Sequence, residues 1–315
     1  MREADVLVIG AGPAGLHAAL KAAILNHTAL VLDKGRRFSR VSLAPAIANI
    51  PGHPGITGDA LLTMGRASLE RFADTSGKRL VALEEDAEVV TLAREAGGFR
   101  ARVRQGGATW DAWAPTAILA TGVVDRKPAL RLSPFVHRAL VGYCLLCEGW
   151  SLEGKRVAVV GHSADAASIA LDVRAQFGGD VTLLTDGERL DGVPAEGLRI
   201  ERARIRELRD EGALVIALDD GRELAFDKAL FGLGWHHVNH ELAKGLGARL
   251  TREGHIVTTE DREVVDEDGA PIRGLFAVGD VRAGLWKQIP LAWADAEIAV
   301  ISAYAYRLAP VGPPP

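Results

Sequence analysis

Asp5-Val6-Leu7-Val8-Ile9-Gly10-Ala11-Gly12-Pro13-Ala14-Gly15-Leu16 is the stretch whose reading decides the fold. A short continuous apolar run marks a strand buried on both faces of a parallel sheet. G-x-G-x-x-G follows at once, then an Ala- and Leu-rich helix over 16–25, then a second apolar strand over 29–32 that ends at Asp33. Gly10 permits the tight turn, Gly12 lets the backbone approach a pyrophosphate, and Gly15 lets the helix pack closely on the strand. The helix start turns free N–H groups and the positive end of its dipole toward phosphates. Asp33, 23 residues after Gly10, stands where a carboxylate can bond ribose hydroxyls. The glycines alone would also suit a purely structural turn. Strand, helix and acid in register point to dinucleotide binding.

The layout recurs further along. Arg156-Val157-Ala158-Val159-Val160-Gly161-His162-Ser163-Ala164 again reads strand, turn, helix, with a second strand over 181–184. The copy is altered, because Ser163 stands where the second glycine belongs. Thr185-Asp186-Gly187-Glu188-Arg189 follows, acidic where a 2′-phosphate would need arginine; Asp186 still suits the ribose of NAD. Near the C-terminus, Gly274-Leu275-Phe276-Ala277-Val278-Gly279-Asp280 is an apolar strand ending in Gly-Asp, followed by Lys287-Gln288-Ile289-Pro290 and a helix over 291–306. Asp280 either holds a ribose or ribityl chain or only caps a turn. Between these units, 61–72 reads as an amphipathic helix and 81–92 and 98–105 as strands of a meander. The strand 117–120 runs into Thr121-Gly122, and 48–58 is a loop dense in Gly and Pro.

The only two cysteines form Cys144-Leu145-Leu146-Cys147, just before the second unit. C-x-x-C fits half a zinc site, a redox dithiol or chance. A structural zinc site needs two more Cys or His ligands. No other cysteine exists, and His236, His237 and His240 lie in a separate segment, read as a polar rim; no metal is expected. A redox dithiol needs only the pair and an electron carrier. At 315 residues with 48% apolar and 25% charged residues, the chain suits about two globular domains. Its formal net charge is -4 without a basic run, which excludes nucleic acid and anionic membrane surfaces as expected partners. No apolar run reaches the roughly 20 residues of a membrane helix, and a polar start without a signal-peptide pattern makes the expected location cytoplasmic. The Pro-rich tail 309–315 is expected to fray.

The ordered set of G-x-G-x-x-G, Asn49-Ile50-Pro51-Gly52, Ala120-Thr121-Gly122, Cys144-x-x-Cys147-Glu148, a second glycine turn and Phe276-Ala277-Val278-Gly279-Asp280 resembles the low-molecular-weight thioredoxin reductases. The resemblance runs from Asp5 to about Leu308. It implies an α/β protein of two Rossmann-like dinucleotide-binding domains, each a three-layer ββα arrangement. An FAD domain (1–122 and 242–315) would then carry an inserted central dithiol domain (123–241). FAD contacts carry over to Gly10, Gly12, Pro13, Ala14, Gly15, Asp33, Lys34, Asn49, Ala120, Thr121, Gly122, Gly279, Asp280, Gln288 and Ile289. The resemblance also implies that Cys147 faces the flavin, Cys144 exchanges with a thioredoxin-like protein or small-molecule dithiol, and Glu148 is a candidate general acid. It implies a homodimer as well.

The departures concern the electron source. Relatives that use NADPH carry an intact second glycine turn and an arginine cluster; here Gly161-His162-Ser163 and Asp186 to Asp191 replace them. Lys34-Gly35-Arg36-Arg37 replaces Gly-Gly-Gln, Ala294 replaces a glycine, and Trp286 and Trp293 are bulky additions, either covering the flavin or packing in a core or interface. These changes resemble branches that dropped pyridine nucleotides, drawing on ferredoxin or a second FAD, or passing dithiol electrons to oxygen. The expectation is an FAD disulfide oxidoreductase for which NAD(P)H is a doubtful reductant. An NAD(P)H-dependent thioredoxin reductase and a non-catalytic flavin redox sensor are the alternatives.

Overall fold

A computed structural model describes residues 1–71, 80–95, 97–126, 128–190, 197–284 and 286–308. Phe72, Asp191 and the tail 309–315 of the sequence reading lie outside the described residues. The chain divides into two units. The first comprises Met1–Ser42, Asp59–Val124 and His237–Pro315, and the second Leu43–Gly58 and Asp125–His236.

The first unit is built on a six-stranded sheet in the order Glu263–Val265, Pro271–Ala277, Thr116–Leu119, Val6–Ile9, Ala29–Leu32, Val81–Glu84. All neighbours run parallel except the outer pair Glu263–Val265 and Pro271–Ala277. The four residues of Val6–Ile9 and of Ala29–Leu32 are all buried, as expected of strands covered on both faces. On one face lie the helices Pro13–Ile24 and Ile289–Leu308. Their facing residues are small: Ala18, Ala19, Ala22 and Ala23 share a core with Ala292, Ala296, Ala299 and Ala303. Small side chains let two helix backbones approach closely. A four-stranded sheet of Arg2–Glu3, Ala108–Ala114, Gly98–Gln105 and Glu88–Glu95 supplies the second sheet of the unit.

The second unit repeats the plan. Five parallel strands follow the order Val141–Gly142, Lys228–Phe231, Arg156–Val160, Asp180–Leu184, Arg199–Glu201. The helix Ala164–Phe177 packs on this sheet through Ala166, Ala167, Ala170 and Val173. Ile205–Asp210, Leu214–Leu218 and Glu223–Phe226 form an antiparallel meander.

Three differences from the sequence reading have physical causes. The stretch 81–92 is not one strand. Val81–Glu84 joins the parallel sheet and Glu88–Glu95 the meander, because Asp86 at φ 52° turns the chain between them. The chain passes between the units at 124–125 and 236–237 rather than at 122–123 and 241–242. There Val123–Asp125 and Trp235–Val238 pair as two strands. The Gly/Pro-rich segment Leu43–Gly58, read as part of the first domain, belongs to the second unit. It is closed on itself by the Ile47–Ile56 bridge, and Leu43 packs against the core around Leu132 and Val136.

Candidate functional site

In the first unit the candidate residues converge at the carboxyl ends of the parallel strands. Sheet order reverses between Val6–Ile9 and Thr116–Leu119, the place where open α/β sheets take their ligands. Gly10 has φ +105°, and a Cβ there would lie 2.4 Å from the Ala120 carbonyl oxygen. A Cβ at Gly15 would lie 1.8 Å from the Gly10 oxygen. Both glycines are therefore demanded by packing. Gly12 differs: a Cβ there would meet only Ser39 Oγ, at an ordinary 3.6 Å. No side chain caps the helix start behind it. Asp33 is buried and accepts from the Ala11 amide at 3.0 Å, pinning the turn, while its second oxygen lies 3.5 Å from Arg66 Nη2.

The C-terminal segment meets this turn. A Cβ on Gly279 would stand 3.1 Å from Ala14 Cβ, which places Gly279-Asp280 beside the helix start. Buried Asp295 accepts from Arg262 Nε at 2.7 Å, Arg282 Nε at 3.1 Å and the Gly279 amide at 3.3 Å. The Asp280 carboxylate lies 3.5 Å from Arg40 Nη1, and its carbonyl accepts from His255 Nδ1–H at 3.1 Å. Burial, and then the charge of Lys287, hold His255 below the ordinary imidazole value. Burial likewise lowers Lys287, whose ammonium donates to the Arg282 carbonyl at 2.6 Å. Thr121 Oγ1 donates to the Asn239 carbonyl, and Asn239 Nδ2 donates to the Thr121 carbonyl, both at 2.7 Å.

These residues fit FAD. An uncapped helix start, an open Gly12, a buried acid at the second strand end and Asp280 beside them provide for pyrophosphate, ribose and ribityl in turn. Gln288 and Ile289 begin the C-terminal helix segment, the Gln288 carbonyl accepting from Ala292. Lys34 is exposed, its ammonium 4.9 Å from the Phe38 ring centre. Asn49 belongs to the second unit.

The second unit holds the dithiol. Cys144 and Cys147 are joined as a disulfide, Cα–Cα 5.3 Å, with Cys144 at the start of the one-turn helix Leu145–Glu148. Leu146, between the two cysteines, and Trp150, just after them, are exposed. The Glu148 carboxylate is engaged on the side of the sheet: Oε2 lies 2.6 Å from Lys228 Nζ, and Oε1 accepts from the Tyr143 amide at 3.3 Å. The Tyr143 phenol is pushed up to about 12 by burial and then by the negative charges of Asp125 and Glu148.

The second glycine turn keeps its packing glycine and loses its opening. A Cβ on Gly161 would meet Ala166 Cβ at 2.7 Å and the Gly232 oxygen at 2.8 Å. Ser163 caps the helix, its hydroxyl accepting from the Ala166 amide at 3.2 Å, and Asp165 adds negative charge to the first turn. Asp186 Oδ1 accepts from the Ile205 amide at 2.7 Å. One arginine from outside the quoted stretch adds to this turn. The Arg204 side chain lies against it, so that a Cβ on Gly187 would stand 2.5 Å from Arg204 Cγ. Lys228, Arg204, Asn239, Arg40 and Asp295 all escaped the sequence reading; each acts on a group distant in the chain and carries no local pattern. Among the described residues no group of three or more His, Cys, Asp or Glu could hold a metal ion, and no helix is long and apolar enough to cross a membrane.

A parallel sheet with an open glycine turn at its reversal point, together with a C-x-x-C pair in a second unit of like plan, defines a nucleotide-linked disulfide oxidoreductase. The chain belongs to the pyridine nucleotide-disulphide oxidoreductase family, whose model matches residues 4–296, and is a thioredoxin-reductase-like FAD enzyme within it. It is 29% identical to a thioredoxin reductase of Treponema pallidum over 96% of both chains, and 26% identical to that of Bacillus subtilis over 96% of this chain and 94% of the relative. The crystal structure of thioredoxin reductase from Streptococcus pyogenes matches with TM-score 0.82 at 25% identity, over 97% of this chain and 98% of that one.

Proposed function

We propose that the protein passes electrons between FAD and a dithiol or disulfide partner through Cys144 and Cys147, without being driven by NADPH. The observation that carries the second half is the Ser163 cap. The serine hydroxyl bonds the Ala166 amide, which a pyrophosphate would otherwise approach, and the Asp165 carboxylate repels phosphate from the same helix end. Asp186, the acid suited to an NAD ribose, has one oxygen engaged by the Ile205 amide.

FAD bound at the Gly10–Gly15 turn and Asp280 would supply the two-electron carrier. The work of the chain is thiol exchange. A partner thiolate attacks Cys144 Sγ, the Cys144–Cys147 bond breaks, and Cys147 leaves as a thiolate. The partner's second thiol, losing its proton, displaces Cys144. The products are a partner disulfide and a reduced Cys144/Cys147 pair, two electrons richer. The same steps in reverse reduce the partner. The partner is a thioredoxin-like protein or a small-molecule dithiol, Cys147 is the flavin-side sulfur, and Glu148, next in the chain, is the candidate acid. Ferredoxin, oxygen and a second FAD are the candidates for the far end of the circuit, and a homodimer is part of this reading.

A second reading, an NAD(P)H-dependent thioredoxin reductase, is favoured by Arg204 beside Gly187. Titrating the oxidised protein with NADPH and following tryptophan fluorescence separates the two. The first reading expects no saturable binding up to millimolar dinucleotide; tight binding overturns it. Replacement of Cys147 by Ser tests the redox pair itself. Unaltered disulfide turnover would leave only a flavin redox sensor.

A further inference from the structure

Lys228 is the one lysine buried among the described residues, with 4% of its surface exposed. An ammonium removed from water must be paired and hydrogen-bonded to persist. It meets Glu148 Oε2 at 2.6 Å and Ser151 Oγ at 3.0 Å. Ser151 Oγ in turn donates to the Glu148 carbonyl at 2.7 Å, and Glu148 Oε1 accepts from the Tyr143 amide. Room for the carboxylate is made by Gly142, where a Cβ would lie 2.1 Å from Glu148 Oε1. Both ends of the turn that carries the disulfide, Tyr143 before it and Glu148 at its close, are thus fastened to one buried cation on the neighbouring strand.

We propose that Lys228 is the positioning residue of the dithiol: its ion pair locks Glu148, the residue that follows Cys147, into the space left by Gly142 and neutralises its carboxylate, which sets how readily the pair forms thiolate. The proposal rests on reading Cys144 and Cys147 as the redox pair. Thiolates are the reactive species and respond to nearby charge. The charged and titratable groups facing Glu148 are Lys228 and the Tyr143 phenol, on which Asp125 also acts. Arg156, on the strand beside Lys228, is satisfied by Asp227 at 2.9 Å.

The test measures thiolate absorbance against pH in the reduced holoprotein, and the dithiol–disulfide equilibrium in glutathione buffers, for K228M, K228R, E148Q and K228M/E148Q. With the cation gone, Glu148 stands uncompensated. The first thiol of K228M should then titrate about one pH unit higher, with the equilibrium shifted about tenfold toward disulfide where thiolate predominates. E148Q should shift both in the opposite sense, and the double variant and K228R should return close to the parent. A merely structural lysine would lower the unfolding temperature without these opposed shifts. If K228M does not fold, the downward shift in E148Q and its reversal in the double variant carry the decision. Thiol titrations of K228M and E148Q that stay within about 0.2 unit of the parent, or move together, overturn the proposal. Failure of the underlying reading is distinguishable, because it would appear as unaltered disulfide turnover after Cys147→Ser whatever the thiol titrations show.

Discussion

The hydroxyl of Ser163 accepts a hydrogen bond from the Ala166 amide at 3.2 Å, so the central helix closes its own start with a side chain, whereas the first helix begins at Gly12 with none. Two turns built on one plan therefore meet a phosphate differently. Replacing an N-cap serine by alanine removes about 1 kcal/mol, and by glycine only a few tenths. S163A should lower the stability of the second unit by about that amount in urea unfolding without gaining dinucleotide affinity. S163G should be nearly neutral for stability and should gain measurable NADPH binding by fluorescence titration. Equal binding by S163G and the parent would show that the cap is not what excludes the nucleotide.

The glycines of the first turn make separable predictions. At Gly15 a Cβ would overlap the Gly10 oxygen at 1.8 Å, so G15A should fold poorly or not at all. At Gly12 the nearest contact would be 3.6 Å, so the G12A apoprotein should keep the parent's thermal midpoint while its FAD affinity falls at least tenfold, as pyrophosphate is held off the helix start. Flavin fluorescence on dilution, alongside circular dichroism melts of the apoproteins, checks both. A G12A protein that retains its flavin would contradict the placement of the phosphates.

His255 gives a pH dependence. Burial and the Lys287 charge depress its folded value below the ordinary imidazole value, so the folded chain keeps the ring neutral while the unfolded chain takes up a proton near pH 6.5. Its contribution to stability is fully present above that value and is lost as pH falls through it toward the folded value. Denaturant midpoints measured above and below about pH 6.5 should diverge for the parent and converge for H255Q. The same acid slope in H255Q would refute the assignment.

The parts of the site that could be read from the sequence are those written by neighbours in the chain. Gly10, Gly12 and Gly15 fall within one turn, Asp33 closes the next strand, and Cys144 and Cys147 share a single turn. The apolar runs 6–9, 29–32 and 157–160 are continuous because both faces of each strand are covered. What could not be read depends on pairs far apart. Lys228 precedes an apolar run with no local pattern to mark it, and only the fold brings it to Glu148. Arg204 reaches Gly187 from beyond the strand Arg199–Glu201. The Asn49 loop has no periodicity from which to tell which core it joins, and the buried Ile47 and Ile50 were hidden among glycines and prolines. The alternation of 81–92 ran through Glu85-Asp86 without revealing that the chain changes sheets there.

The most direct test of the account is anaerobic rapid mixing of the flavin-loaded protein with excess NADPH, and separately with a dithiol, following the flavin absorbance band. The account predicts that the dithiol bleaches the flavin in the parent and not after Cys147→Ser, while NADPH leaves it oxidised over many seconds. Full bleaching by NADPH at a rate typical of enzyme turnover, on the order of 10 s⁻¹ or faster, would contradict it.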